Sequence, residues 1–459
     1  MRAIVRLEDL LGPERKEWLA KSDEELRAAL EEIHPEDLAT ALNTIEDADE
    51  VTRIMRVLSI EVSAAVMERL TSDTQQGVLE TIHKDEAVEI LTEMSPDDRA
   101  DLVRELPEGQ RDTLLEHLRE QAPELAEEVH ELASYAADTA GGIMTTEFLG
   151  FQPSMPVHAA IEEVRKAARN SGTEHVYYVY VLYSDKLVGV VSLRQLLLAN
   201  PDVTLESIME TNVVRVGPAD DQESVAKQIA KYDLQALPVV DEKGIMLGMV
   251  TVDDVVDVVI QEATEDAQKM GGVVPLEDSY LSTSFVQFFR KRVAWLIVLF
   301  LGGLVTTNIM QEHNLKAIAG LMLFVPLIIS AGGNSGSQSS SLVIRALAVG
   351  EIQPRDWWRV LGRELGLGLA LGLALGVVGF ARALLMGDSV TLALSITVAV
   401  SITAVVTMGT LLGSLLPLAI RRAGLDPAVS STPFIASLVD VLGLVVYFAV
   451  ASFIFGVSV

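Results

Sequence analysis

Hydrophobic positions follow three patterns in turn along the chain. Over residues 1–135 they recur three and four apart in short bursts, opened by acids or Pro: "HPEDLATAL", "HKDEAVEILTEM", "SPDDRADLVREL", "PEGQRDTLLEHL". Pro in a first helical turn, with acids beside it, is a start signal. The last three bursts begin about twelve residues apart, room for one short helix and a turn each. They predict an all-α superhelical array of stacked short helices. The opening "MRAIVRLEDLLGPERKEWLA" is amphipathic and lacks the apolar core of a signal peptide, so the part that follows is expected in the cytosol.

The period then shortens and the pattern duplicates. "IMTTEFLGFQPSMPVHAAIEEVRKAA" from Ile143 parallels "IMETNVVRVGPADDQESVAKQIAKY" from Ile208, and "YYVYVLYSDKLVGVVSLRQLL" parallels "ALPVVDEKGIMLGMVTVDDVV". Each copy predicts a short strand, a helix, two β-rich runs joined by a turn, and a second helix. The duplication resembles a tandem pair of α/β CBS domains, a regulatory module that commonly senses nucleotides or metal ions. Residues 136–200 hold the first repeat and 201–260 the second. Residues 261–289 are expected to form a connecting helix.

From Arg290 to Val459 apolar runs dominate, beginning with "VAWLIVLFLGGLVTTNIM" and ending with "FIASLVDVLGLVVYFAV". A membrane span needs about 20 apolar residues. Five runs reach that with their flanks, the second only if it continues through "AGGNSGSQSSSLVIRALA". The fold class expected is a multidomain membrane protein with a five-helix transmembrane domain. Arg290, Lys291 and Arg292, then Arg345, Arg355, Arg359 and Arg363, then Arg421 and Arg422 alternate with loops holding only Lys316 and Arg382. The positive-inside rule puts the N-terminus inside and the C-terminus outside.

Charge sharpens this division. Residues 290–459 carry seven acids against eleven bases, whereas residues 1–289 carry 58 acids against 24 bases. Such an acidic head repels nucleic acid and suits cations. There are no cysteines, which excludes disulfides and thiolate metal sites. No nucleophile–base pair is recognisable, so enzyme activity is not expected.

Three features carry chemistry. Asp440 is an acid inside the last apolar run, and ionisable groups there usually face a water-filled path or a partner. Ala436 lies one turn earlier on the same face, where a small side chain leaves its carbonyl reachable. Thr432 and Pro433 precede it. The second feature is "FVPLIISAGGNSGSQSSS". Pro326 and Gly332, Gly333 and Gly336 predict a broken helix, and Asn334, Ser335, Ser337 and Gln338 supply neutral oxygens. By contrast, Gly368, Gly372 and Gly376 read as a packing face, and Asp426 before Pro427 reads as an N-cap. The third feature is "VDDVVDVVIQEATEDAQKM". On a helix, Asp254, Asp257, Gln261 and Glu265 form one stripe beside Glu262 and Asp266, with Val255, Val256 and Val259 on the buried side. Asp220, Asp221, Glu223 and Asp233 add acid from the same repeat, and Asp98 and Asp101 sit three apart in the helical array. Carboxylates 4 Å apart repel by about 1 kcal/mol in water and about 4 kcal/mol at intermediate dielectric. Mg²⁺ and Ca²⁺ are oxygen-seeking ions suited to bridging them.

Together the broken-helix segment "VPLIISAGGNSGSQS", the segment "GLDPAVSSTPFIASLVDVLG" and the acidic helix resemble the MgtE family of magnesium channels over nearly the whole chain. The resemblance implies a homodimer in the inner membrane, with the pore on its twofold axis. It implies that Asp440 holds hydrated Mg²⁺ together with the Ala436 carbonyl, near Asn334 and Thr432. It also implies that intracellular Mg²⁺ among Asp98, Asp101, Asp221, Glu223, Asp233, Asp254, Asp257, Glu262, Glu265 and Asp266 stabilises the closed state. Three positions depart from the family pattern. Ser337 replaces an Asn, Thr432 stands where Asn is common, and Val439 where a polar residue is common, which predicts a less polar pore mouth. Relatives also bind ATP in the CBS region. CBS nucleotide sites favour Ser/Thr-x-x-Asp, whereas the first repeat has Ser192 and Gln195, and Asp254 of the second coincides with a metal-sensing acid. An ion-coupled divalent-cation transporter regulated by CBS domains is the alternative activity. A nucleotide-responsive receptor merely anchored by its spans is a third.

Overall fold

Short helices form at the N-terminal end because each has its own start signal. The computed structural model describes residues 20–30, 33–45, 47–169, 176–276, 283–312, 320–385 and 392–456. The amphipathic opening and Lys316 lie outside these. Two units make up the chain, Met1–Ile260 and Gln261–Val459. The first begins with α1 (Asp23–Leu30), α2 (Pro35–Leu42), α3 (Ala48–Val57), α4 (Ile60–Met67), α5 (Ser72–Thr81), α6 (Lys84–Glu93), α7 (Pro96–Glu105), α8 (Glu108–Gln121) and α9 (Pro123–Leu132). The predicted spacing is visible in the starts of α6, α7 and α8. His34 Nδ1 accepts from the Glu36 N–H at 3.2 Å and Asp47 from Asp49 at 3.0 Å, each satisfying a free helix-end donor. Pro stands in the first turn of α2, α7 and α9. Each helix packs on the next but one, α1 on α3 through to α7 on α9. This closes a core around Leu38, Leu42, Ile54, Met67 and Leu91.

The duplicated region folds as two similar halves. In the first, β1 (Leu149–Phe151) pairs in parallel with β2 (Tyr178–Tyr183), and β2 pairs antiparallel with β3 (Lys186–Ser192). Helix α10 (Val157–Ala167) lies between β1 and β2 in sequence, and α11 (Leu193–Leu198) follows β3. The second half has α12 (Gln222–Tyr232), the antiparallel pair β4 (Ala236–Val240) and β5 (Met246–Thr251), and α13 (Val252–Met270). Its counterpart of β1 is reduced to one parallel bridge, Val216 to Val239. Val255 and Val258 are the buried positions of α13; Val256 and Val259, expected inside, are exposed. At 100° per residue Val258 lies about 60° to one side of Val255, whereas Val259 and Val256 lie about 40° and 100° to the other, so the buried face is centred between Val255 and Val258.

The second unit holds α14 (Phe285–Glu312), α15 (Val325–Ala348), α16 (Trp357–Leu384), α17 (Leu392–Arg422) and α18 (Thr432–Phe455). Among the described residues, four helical stretches are long and apolar enough to cross a membrane: Phe285–Met310, Pro354–Leu384, Leu392–Arg422 and Thr432–Phe455. The polar run of α15 keeps it out of that set, although it has 24 residues. The expected break in α15 is absent, and the helix runs unbroken through its glycines. Pro326 sits in its first turn, where no intrahelical N–H is needed, so it starts the helix rather than breaking it.

The glycines serve contact instead. A Cβ on Gly409 of α17 would lie 2.4 Å from the Gly332 carbonyl oxygen, and one on Gly413 would lie 2.1 Å from that of Gly336. Two pairs of glycines thus bring α15 and α17 to backbone contact, as small residues four apart allow. Gly368, Gly372 and Gly376 do the same for α16 on α17, where added Cβ atoms would meet Thr410, Thr403 and Ala399. Replacing Gly413 with Leu should therefore lower the unfolding midpoint of the detergent-solubilised chain, by about 1–3 kcal/mol or more of stability. Gly366→Ala, which meets nothing within 4 Å, should melt at or above the parent temperature.

Candidate functional site

Asp440 stands at the ninth position of α18, among residues that are otherwise apolar or small. It is half-buried. Among the described residues nothing donates a hydrogen bond to it, and neither Arg345 nor Arg363 pairs with it. A Cβ on Gly333 of α15 would lie 3.5 Å from Asp440 Oδ1 and 3.7 Å from the Cα and Cβ of Ala436. The bare backbone of Gly333 therefore faces both predicted pore residues, a placement the sequence reading did not assign to it. Asn334, the next residue, is exposed and donates to Ser330 Oγ at 3.3 Å. The Thr432 carbonyl accepts from Ser337 Oγ at 3.3 Å. Ser337, which replaces an Asn of the family pattern, thus joins α15 to the start of α18.

Val439 is a correction. It is 0% exposed and packs against Gly332, not at a pore mouth. Its apolar side chain meets a packing demand between α18 and α15, since this face, about 100° round the helix from Asp440, is core.

Glu364 of α16 was not singled out in the sequence. It accepts from Ser339 Oγ of α15 at 2.8 Å, so an acid at the start of a long apolar helix ties two helices together. Its signal was available in "RELGLG", an acid directly preceding an apolar run.

In the first unit the acids of α7 and the start of α13 gather. Burial pushes the carboxyls of Asp97, Asp98, Asp101 and Asp254 up, with neighbouring carboxylates adding to it. For Asp97 burial comes first, then the charges of Asp254 and Asp98. Asp98 feels Asp257 and Asp253, while a hydrogen bond from Ser95 Oγ at 2.8 Å pulls the other way. Asp101 reaches about 6 despite its ion pair with Arg104. Asp254 also reaches about 6, despite a hydrogen bond from Thr251. Asp97 Oδ1 is buried without a hydrogen-bond partner among the described residues. The sequence reading passed over Asp97 because the N-terminal end of a helix favours acids for local reasons. Among the described residues no three His, Asp or Glu side chains converge closely enough to grip a bare metal ion.

Other predicted sensor acids have structural tasks. Asp221 caps α12, accepting from Glu223 and Ser224 N–H groups at 3.0 and 3.2 Å. The Glu223 carboxylate pairs with Lys227 at 2.7 Å. Asp233 ends the same helix in the left-handed conformation, φ 52°. Glu265 pairs with Lys269. Asp257 is exposed. Glu262 and Asp266 lie in the last turns of α13, within the second unit.

Comparison with known proteins decides the family. Residues 325–450 match the family described as MgtE, divalent cation transporter. Residues 33–138 match the MgtE intracellular N domain, and 140–202 and 205–261 each match the CBS domain. The chain is 39% identical over 332 residues to the magnesium transporter MgtE of Thermus thermophilus, covering 72% of this chain and 73% of that protein. It belongs to the MgtE family of magnesium transporters. The Bacillus subtilis magnesium transporter MgtE is 32% identical, with 71% of each chain covered. Among solved structures, the cytosolic domain of the Mg²⁺ channel MgtE in complex with ATP is 36% identical with a TM-score of 0.50, covering 53% of this chain and 98% of that one. The soluble part of a magnesium transporter is 31% identical with a TM-score of 0.51, covering 56% and 100%. This MgtE-family chain is thus a membrane transporter with a soluble N-terminal domain, a CBS pair and apolar helices towards its C-terminus.

The buried acids give a pH dependence. An unfolded Asp titrates near 3.9, so each raised carboxyl holds its proton more tightly in the fold. Their favourable contribution is fully present below about pH 4 and is lost as pH rises through about 6, where Asp101 and Asp254 ionise. Amides of α7 and the first turns of α13 should therefore be better protected at about pH 5 than at about pH 7.5, once intrinsic exchange rates are divided out. Equal protection at both would contradict the burial of these acids.

Proposed function

We propose that this chain is a Mg²⁺-selective channel of the inner membrane, closed from inside by Mg²⁺ bound among its acidic cytosolic faces. The observation that carries the reading is Asp440, a half-buried acid in an apolar helix, beside a glycine backbone and with no partner among the described residues. A carboxylate so placed calls for water or a cation. Mg²⁺ gives up its water reluctantly, so the site takes the ion with much of its shell, against Asp440, the Ala436 carbonyl, and the oxygens of Asn334 and Thr432. Two copies of the chain place two such carboxylates around one axis. The helix α15 serves as a fifth span, polar because it lines the route, and the alternation of bases puts the C-terminus outside.

Gating follows from the acid cluster. Asp97, Asp98, Asp101, Asp254 and Asp257 approach without enough bases to neutralise them. Hydrated Mg²⁺ suits such a cluster, because water between ion and carboxylates fills the space that prevents direct ligation. At low internal Mg²⁺ the acids repel and the cytosolic faces part, opening the pore; rising Mg²⁺ reverses this. Moving a two-state equilibrium from 1:99 to 99:1 takes about 5.5 kcal/mol of differential binding, which several weak sites supply together.

ATP is given no part in this mechanism, because the ribose position of the CBS pattern is altered in the first repeat and engaged by the acid cluster in the second. Gln195 Oε1 accepts from both the N–H and the hydroxyl of Ser192, each at 2.8 Å, and its amide donates to Glu210 at 2.9 Å. Gln195 Oε1 is filled by these bonds, and no Asp stands at the position from which the CBS pattern holds ribose hydroxyls. In the second repeat, Asp254 takes the Thr251 hydroxyl and faces the acids of α7.

Asp440→Ala should reduce growth of Mg²⁺-auxotrophic cells on low Mg²⁺ to the empty-vector level, with the variant still eluting as folded protein. Normal rescue would remove the pore role. Combined Asp254→Asn, Asp257→Asn and Glu262→Gln substitutions should raise the internal Mg²⁺ needed for closure by about tenfold in patch recordings. Unchanged inhibition would remove the sensor. ATP up to about 1 mM should give no binding heat with the full chain.

A further inference from the structure

The last turns of α13 lie in the same unit as α18 and are fastened to its entrance. The Lys269 ammonium sits between two carboxylates, Glu265 one turn back and Asp426 in the segment before α18, the latter at 2.7 Å. All three side chains are about one-third exposed. The other oxygen of Asp426 accepts from the Ala428 N–H at 2.8 Å, capping the Pro427–Val429 turn. One carboxylate thus joins the end of α13 to the turn that leads into the Asp440 helix. Burial alone would depress the Lys269 ammonium, but its hydrogen bonds to Asp426 and Glu265 more than offset this and hold it charged.

A second set of contacts grips the same place. The turn after α13 passes Gly272 at φ 73°, where an added Cβ would strike Trp295 at 2.8 Å and lie 3.4 Å from Pro433. Trp295 of α14 donates to Ser431 Oγ at 3.1 Å, and Ser431 is the residue before α18. Its ring also lies 5.9 Å from that of Phe434. Lys291 donates to the Pro275 carbonyl at 2.6 Å. An isolated surface ion pair contributes little. This one is shared by two acids, half-buried, and seated in a packed turn, where charge-assisted bonds are stronger.

We propose that Lys269 is a positioning residue for gating, a tethered cation that latches the end of α13 to the entrance of the Asp440 helix. Breaking the latch frees the entrance and favours the conducting state. This rests on the gating reading above. Nothing in the sequence pattern marks the lysine, since it follows six acids in a helix otherwise assigned to free cations.

The test uses the full chain in lipid bilayers. Lys269→Met keeps the apolar stem and removes the charge. Lys269→Arg keeps the charge, and Asp426→Asn keeps the cap. Lys269→Met and Asp426→Asn should each raise the internal Mg²⁺ for half-closure about fivefold, and the double variant should go no further than either single one. Lys269→Arg should stay within about twofold. A Lys269→Met curve that overlays the parent overturns the latch. If the parent itself fails to close with Mg²⁺, the gating reading falls, and the latch is then judged without Mg²⁺ by hydrogen exchange. Amides 265–274 exchanging about tenfold faster in Lys269→Met, but not in Lys269→Arg, sustain it; equal exchange overturns it.

Discussion

A carboxylate in the middle of an apolar helix is stable only where water, a cation or a proton donor reaches it. Asp440 has no donor among the described residues, so the packing around it must leave a polar approach. That packing is set by glycine. Gly332 and Gly336 meet Gly409 and Gly413 so closely that no side chain fits between the helices. On an adjacent face of the same helix, Gly333 lies beside Asp440 and Ala436. One stretch of small residues therefore does two things. It seats α15 against α17, and it leaves a bare backbone opposite the acid. Val439 shows the other side of the same constraint, since the residue next to the acid is sealed in the core.

The first unit meets the same electrostatics in a different solvent. Acids of α7 and α13 face one another, and the nearby bases are already committed. Arg99 is buried and spends its guanidinium on the Leu91 and Met94 carbonyls and on Glu128. Arg104 pairs with Asp101 and donates to the Leu132 carbonyl at 3.4 Å. The remaining carboxyls relieve their repulsion by holding protons or by gaining cations. At neutral pH the proton route weakens for Asp101 and Asp254, raised to about 6, and the proposed gate uses the cation route.

What the sequence made legible was whatever rests on periodicity. The twelve-residue spacing of α6 to α8, the duplicated α/β pattern and the apolar runs each depend on neighbours within one element. The misreadings have another origin. Pro326 with three glycines looks like a break until the helix start is known, and that start lies immediately before the Pro. The partners of Gly332 and Gly336 come from a helix more than seventy residues later. Val256 and Val259 were assigned to a buried stripe that fits three valines equally well in two rotations. Asp221 and Asp233, by contrast, carried readable cap signals: one opens a helix and the other closes it.

The proposed gate needs both a fixed cation and free ones, for reasons of population. A tethered ammonium has no concentration dependence, so by itself it sets a constant ratio of closed to open forms. Free Mg²⁺ among the α7 and α13 acids supplies the dependence but must work against whatever ratio the latch sets. Each 1.4 kcal/mol in that ratio moves the balance by a factor of about ten. A strong latch would hold the channel shut at any Mg²⁺, and none at all would demand more from sites whose carboxylates do not converge on a bare ion. A shared, one-third-exposed ion pair lies between these limits. On this view the partial exposure of Lys269 and its two acids sets the range of internal Mg²⁺ over which the channel answers.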